Sequence, residues 1–118
     1  MKVERTTLEG VTILRVRGEI DFSNTQQLLA ELRTVKADGR RRVMINLSEC
    51  TGMTSTAVGV LVGWRCESAL HGHEFWVFSP SEEVRELLDL VGVTDQLVRN
   101  ERTEIAAARG LLAEVGST

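Results

Sequence analysis

The alternation of apolar and polar positions divides the chain into short segments. Lys2 to Thr7 and Val11 to Arg17 alternate with a period near two, as strands with one buried face do, and Glu9-Gly10 between them suits a tight turn. This predicts a β-hairpin that ends at Gly18. Leu28, Leu29, Leu32 and Val35 then recur at helical spacing. Ser23 or Asn24 can cap that helix with a side-chain oxygen, and Asp38-Gly39 ends it. Val43 to Leu47 is a short run rich in β-branched residues, expected to form a strand buried on both faces.

A polar loop from Thr51 to Thr56 precedes a helix expected over Ala57 to Leu70, with Val58, Leu61, Val62, Cys66 and Ala69 on its inner stripe. Gly59 and Gly63 lie four apart on it. Each costs up to ~1 kcal/mol against alanine in a helix, which predicts close packing against a neighbouring element. Glu74 to Phe78 reads as a hydrophobic strand. Ser81 suits the cap of the next helix, and Glu82-Glu83 suit its first turn. Val84, Leu87, Leu88 and Val91 form its apolar face, and Gly92 ends it. Leu97 to Arg99 is expected as a short final strand. Thr103 caps a last helix to Val115, with Ile105, Leu111 and Leu112 inward. This alternation predicts an α/β fold in one domain, residues 1–118: a mixed, mostly parallel sheet with an antiparallel N-terminal edge hairpin and about four helices.

Charge and cysteine usage narrow the function. The chain carries 14 basic and 17 acidic residues, a net charge of −3, and so lacks the basic excess with which a dedicated nucleic-acid binder neutralises phosphates. Arg40-Arg41-Arg42, the one dense basic run, reads as a solvated entry to a strand. Two cysteines, Cys50 and Cys66, make no secreted disulfide scaffold. With no apolar leader at the N-terminus and no membrane-length apolar run, a cytoplasmic protein is expected.

Few residues offer chemistry. There is no glycine-rich phosphate loop and no zinc motif. Cys66, His71 and His73 cluster in sequence but fall short of a ligand set, so no metal, no cofactor and no enzymatic activity are expected. Cys66 is placed on the apolar face of its helix and Cys50 in a more exposed position. Glu19 and Asp21 read as solvated or capping carboxylates. Trp64, off the main stripe, is either a half-buried packing residue or an aromatic anchor for a partner.

The stretch Met53-Thr54-Ser55-Thr56-Ala57 sets three hydroxyls between a strand end and a helix start. That edge of an α/β sheet is where ligands and partners bind. Free amides and the positive end of the helix dipole lie there, and they would favour a phosphate on Ser55. The alternative is that the hydroxyls simply cap the helix.

At this loop the sequence resembles the STAS domain family, and within it the bacterial anti-sigma factor antagonists. The resemblance rests on three stretches, Arg17 to Leu28, Val43 to Gly63 and Ser81 to Leu97. Gly18-Glu19-Ile20-Asp21 matches the family's first element. Asn46-Leu47-Ser48 nearly matches the second, and Thr54-Ser55-Thr56-Ala57-Val58-Gly59 matches the third in part. Val84, Arg85, Leu88, Leu90 and Gly92 fit a later pattern. The resemblance implies a protein that binds an anti-sigma factor, itself a serine kinase of the GHKL ATPase type, and so releases a sigma factor. It implies phosphorylation at Ser55, reversal by a PPM-type phosphatase, and a partner surface formed by Asp21, Ser23, Asn24, Thr54, Ser55, Thr56, Ala57 and Val58. Thr54 stands where the family usually has Asp, and Ala57 where it has Gly. These departures leave Thr54 and Thr56 as fallback acceptors. They also leave open a second reading, a non-phosphorylated STAS scaffold or accessory subunit of a larger regulatory or lipid-transport complex.

Overall fold

The front hairpin pairs β1 (Lys2–Leu8) with β2 (Val11–Ile20) antiparallel, Leu8 opposite Val11. Glu9 and Gly10 between them have φ of 55° and 81°, the pair of left-handed residues that a twist-matched two-residue turn requires. The structure, a computed structural model, describes residues 1–101 and 103–116, with the side chains of the last helix through Ala113. The expected domain end at 118 lies outside the described residues.

From β2 the chain winds in one direction through α1 (Thr25–Ala37), β3 (Arg42–Met53), α2 (Ser55–Leu70), β4 (Glu74–Phe78), α3 (Glu82–Val91), α4 (Thr94–Leu97), β5 (Val98–Arg99) and α5 (Glu104–Gly116). The sheet order is β1-β2-β3-β4-β5, parallel from β2 onward. This is the expected α/β fold, with one short helix, α4, added before the last strand.

The two faces of the sheet bury different sets. Leu14, Val16, Ile45, Leu47, Phe75 and Val77 point to one face and pack with Leu28, Leu32 and Val35 of α1, Ala57, Val58 and Leu61 of α2, and Val84 and Leu88 of α3. Val11, Ile13, Met44 and Phe78 point to the other and meet Ala107, Ala108 and Leu111 of α5. The lower part of β3 is therefore buried on both sides, as its composition implied.

Several elements depart from the sequence expectation. β2 runs on to Ile20 and β3 to Met53, so Thr51 lies in a strand and not in a loop. Two register irregularities, between Arg15 and Arg17 and between Gly18 and Glu19, keep the pair in step, with Gly18 at φ 89°; such bulges hide a strand's continuation from a period-two reading. α2 begins at Ser55, two residues early. Its inner stripe also differs: Leu61 is buried, Trp64, Arg65 and Ser68 are half-buried, and Cys66 and Ala69 are exposed. Long side chains account for this. Arg65 takes an inner position because its guanidinium stacks on Trp76, 3.7 Å from the ring centroid, while its stem covers apolar surface.

The cysteines are thus reversed: Cys50 is buried and Cys66 exposed. A Cβ added at Gly59 or Gly63 would meet nothing within 4 Å, so the expected close packing is absent. Leu29 and Leu87 are only half-buried, and Val91 is exposed at the end of its helix. Ile105 is also exposed, because Glu104, Ala107, Ala108 and Leu111 define the inner side of α5.

Candidate functional site

Thr54 sits where β3 ends and α2 begins. Its backbone N–H donates to Ile20 O at 3.1 Å, which sets the start of α2 against the end of β2. Its Oγ1 accepts from Ala57 N at 3.2 Å and caps the helix. A threonine thereby supplies the capping acceptor that an aspartate would give, without the charge.

With Thr54 occupied, the next two hydroxyls are left over. Ser55 and Thr56 are exposed, and among the described residues neither hydroxyl has a hydrogen-bond partner. Ala57 and Val58 are 0% and 2% exposed and belong to the core. They support the site from beneath and do not line it. The methyl that Ala57 adds to the family's glycine points into the protein.

The neighbouring loop from Asp21 to Asn24 is tied by its own side chains. Asp21 Oδ1 accepts from Ser23 N at 2.9 Å, from Ser23 Oγ at 2.6 Å and from Asn24 N at 3.1 Å. The Ser23 hydroxyl, then burial working against it, then the two backbone N–H groups leave the Asp21 carboxyl below its ordinary pKa. Asn24 occupies the cap position of α1, yet its side chain makes no cap bond. Instead its Oδ1 accepts from Asp21 N and its Nδ2 donates to Glu19 O. Asp21, Ser23 and Asn24 thus make one braced turn beside Thr54. Phe22 projects from that turn, 84% exposed. Sequence reasoning passed over it; the available signal was a large apolar residue in a polar stretch with no helical or strand partner.

Beneath the site Ser81 caps α3 as expected, and its ties to β3 are the part that sequence reasoning missed. Ser81 Oγ donates to Cys50 O at 2.5 Å and accepts from Val84 N at 3.3 Å, while Ser81 N donates to Leu47 O at 3.0 Å. The cap of α3 therefore fastens the upper half of β3, where β4 no longer pairs with it. Burial pushes the Cys50 thiol up, so it is a packing group and a weak nucleophile.

On the α5 face, Arg15 reaches Glu104 through Nε, at 2.5 Å, and through a second guanidinium nitrogen. Asn46 Nδ2 donates to Glu104 Oε2 at 3.1 Å. The Arg15 hydrogen bond and then the Asn46 one hold the Glu104 carboxyl below its ordinary range, against burial. Trp64 is half-buried against the core, with Lys36 Nζ 5.8 Å from its ring centroid. Among the described residues no group of three His, Cys, Asp or Glu is placed to hold a metal ion, and no helix is long and apolar enough to cross a membrane.

A mixed five-stranded sheet with exposed hydroxyls at the start of the helix after β3 defines a small α/β domain with its candidate site at one sheet edge. The chain belongs to the STAS domain family, whose description matches residues 2–107. It is 28% identical over 105 residues to the anti-sigma-B factor antagonist of Staphylococcus aureus (strain NCTC 8325 / PS 47), covering 89% of this chain and 97% of that one. In fold it is similar to the anti-sigma factor antagonist SpoIIAA in its unphosphorylated form, with TM-score 0.75, 21% identity, and 92% and 95% of the two chains covered. The Bacillus cell fate determinant SpoIIAA in its phosphorylated form gives TM-score 0.70 at 20% identity, covering 92% and 98%.

Proposed function

We propose that this chain is an anti-sigma factor antagonist. It binds an anti-sigma factor through the surface formed by Asp21, Phe22, Ser23, Asn24, Ser55 and Thr56, so that a sigma factor is released. It acts as a binding protein in the cytoplasm and catalyses no reaction. The observation that carries this reading is the exposed, unbonded Ser55 hydroxyl in the first turn of α2, in a chain similar along nearly its whole length to a protein of that description.

The partner is itself a serine kinase of the GHKL ATPase type. It transfers the γ-phosphoryl of ATP to Ser55 Oγ, with loss of the hydroxyl proton and release of ADP. The phosphate adds about −1.5 to −2 charges to a surface that already carries the braced Asp21 carboxylate, and the partner is expelled by repulsion and desolvation. The free amides of the α2 first turn stabilise the phosphate. A PPM-type phosphatase hydrolyses the ester to the hydroxyl and inorganic phosphate. Among the three hydroxyls Ser55 and Thr56 are accessible acceptors, whereas Thr54 is engaged in the cap.

Ser55→Ala and Ser55→Asp variants test the switch against the kinase encoded nearest to the gene. The alanine variant should keep wild-type affinity and the aspartate variant lose about tenfold or more, which is ~1.4 kcal/mol. Equal affinity of the two variants would sink the switch. The second reading, a non-phosphorylated STAS scaffold or accessory subunit, draws on the missing aspartate at Thr54. It predicts no phosphate on Ser55, Thr56 or Thr54 after incubation with that kinase and ATP, read by phosphosite mapping.

A further inference from the structure

The pole opposite Ser55 holds a feature that the antagonist reading does not use. α2 has 16 residues, so its far end lies about 24 Å from Ser55 at 1.5 Å per residue. There the end of α1, the turn into β3 and the turn from α2 into β4 border a crevice. Val35 and Phe75, both about 1% exposed, lie at its floor, and the half-buried Trp64 ring forms a wall. Lys36, Arg40 and Arg41 stand at its rim.

The charges at this rim are not balanced. Glu67 answers Lys36 at 3.9 Å and His71 Nδ1 at 3.6 Å. Glu74 accepts from Trp76 Nε1 at 2.7 Å. No such group answers Arg40 or Arg41: among the described residues their guanidinium groups have no partner. Their backbones are nonetheless fixed. Arg40 N donates to Val35 O at 3.3 Å, and Arg41 O accepts from Glu74 N at 2.8 Å. Lys36, Arg40 and Arg41 outnumber the carboxylates of Glu67 and Glu74 by one, so a net positive rim stands beside an aromatic wall in a chain whose net charge is −3.

We propose that this crevice docks an acidic segment of a partner protein. One apolar side chain of the segment enters beside Trp64, and flanking carboxylates meet Arg40 and Arg41. Charge complementarity selects the anion. The enclosed space selects a segment over a small molecule: it is about 20 Å³, room for one water or a side-chain tip and far below the ~300 Å³ at which small-molecule pockets begin. Exposed ion pairs are individually weak, so the apolar tip is needed to localise the segment.

The test uses the whole chain, labelled with nitrogen-15, and an acetylated, amidated peptide with two glutamates on each side of a central leucine. Binding at about 1 mM or tighter is expected, with shifts at the Trp64 indole N–H and at the Arg40 and Arg41 amides. A peptide with serine in place of the leucine should bind about tenfold more weakly. R40E/R41E, which alters exposed side chains that bond nothing, should abolish the shifts, and its own spectrum reports that it is folded. Ser55→Ala should leave them unchanged, which separates this surface from the proposed switch. The proposal is overturned by the absence of these shifts at several millimolar, by equal binding of the serine peptide, or by citrate acting as strongly on the same resonances. The last outcome would make the crevice a free-anion site.

Discussion

The four helices α1 to α4 meet the sheet through side chains that are almost all aliphatic, whereas α5 meets it through a short apolar strip and a polar clasp. On the first face Leu28, Leu32, Leu61, Val84 and Leu88 are buried against Ile45, Leu47 and Val77. On the second, Ala107, Ala108 and Leu111 cover Val11, Ile13 and Met44, and Arg15, Asn46 and Glu104 hold the first turn of the helix down. Aliphatic burial is non-directional and scales with area. A clasp of three polar groups is directional and depends on each member staying charged or bonded. One face therefore has to carry the fold and the start of α2, while the other is conditional on pH and on single side chains.

The largest effect should come from the aliphatic face. Leu61→Ala removes a fully buried side chain under α2 and should cost about 2–5 kcal/mol in denaturant unfolding. A cost below that of an exposed-site mutation would mean that the face collapses around the gap, and the contrast with α5 would weaken.

The clasp should respond next, and in a different way. Arg15→Ala leaves the partly buried Glu104 carboxylate with only Asn46, at an expected cost of about 1.5–3 kcal/mol for losing hydrogen bonds to a charged group. Its pH signature has a definite sign. Glu104 titrates lower in the folded chain than in the unfolded one, so the folded state binds its proton less readily. Its contribution is complete above the ordinary carboxylate value of about 4.3 and is lost as pH falls through the lower folded value. Stability measured from pH 7 downward should decline below that point, and Glu104→Gln should flatten the decline. Asp21, held low by Ser23 and the adjacent amides, accounts for part of what remains. An unchanged acid limb in Glu104→Gln would show that the clasp carries no stability.

Both faces were legible in part from the sequence, and the boundary between legible and hidden follows the same contrast. The aliphatic stripes of α1 and α3 declared themselves by spacing, as did Ser81 and Gly92 at the ends of α3, because each depends on residues near in sequence. The clasp was hidden, since Arg15 and Glu104 are 89 positions apart and each looks like an ordinary surface charge. The extended β2–β3 pair was hidden because bulges break the alternation that would reveal it. At α2 the stripe was misplaced, since Arg65 and Trp64 occupy inner positions that a hydrophobic count assigns to Cys66 and Ala69. The hydroxyl cluster was visible in the sequence. Which hydroxyl caps and which stand free was not, because that division depends on Thr54 reaching the Ala57 amide.

That division gives the next effect in size. Thr54→Ala should lose the cap and about 1 kcal/mol, with the first turn of α2 frayed and faster hydrogen exchange at the Ala57 and Val58 amides, which bond to Thr54. Thr54→Asp should keep the cap and place a charge beside Ser55. An alanine variant with unchanged exchange would mean that Thr54 does not define where α2 begins.

The smallest effect has the opposite sign. Gly59 and Gly63 are exposed on α2, with open space where a Cβ would stand, so nothing in the folded chain repays the conformational freedom that glycine gives the unfolded one. Gly59→Ala should therefore stabilise the protein by up to ~1 kcal/mol, a rise of about 4 °C in Tm for a domain of this size. The same substitution at a packed helical glycine would clash and destabilise. A fall in Tm would mean that this side of α2 is covered in solution, and the helix would then have two packed sides instead of the single aliphatic one on which the contrast between the faces rests.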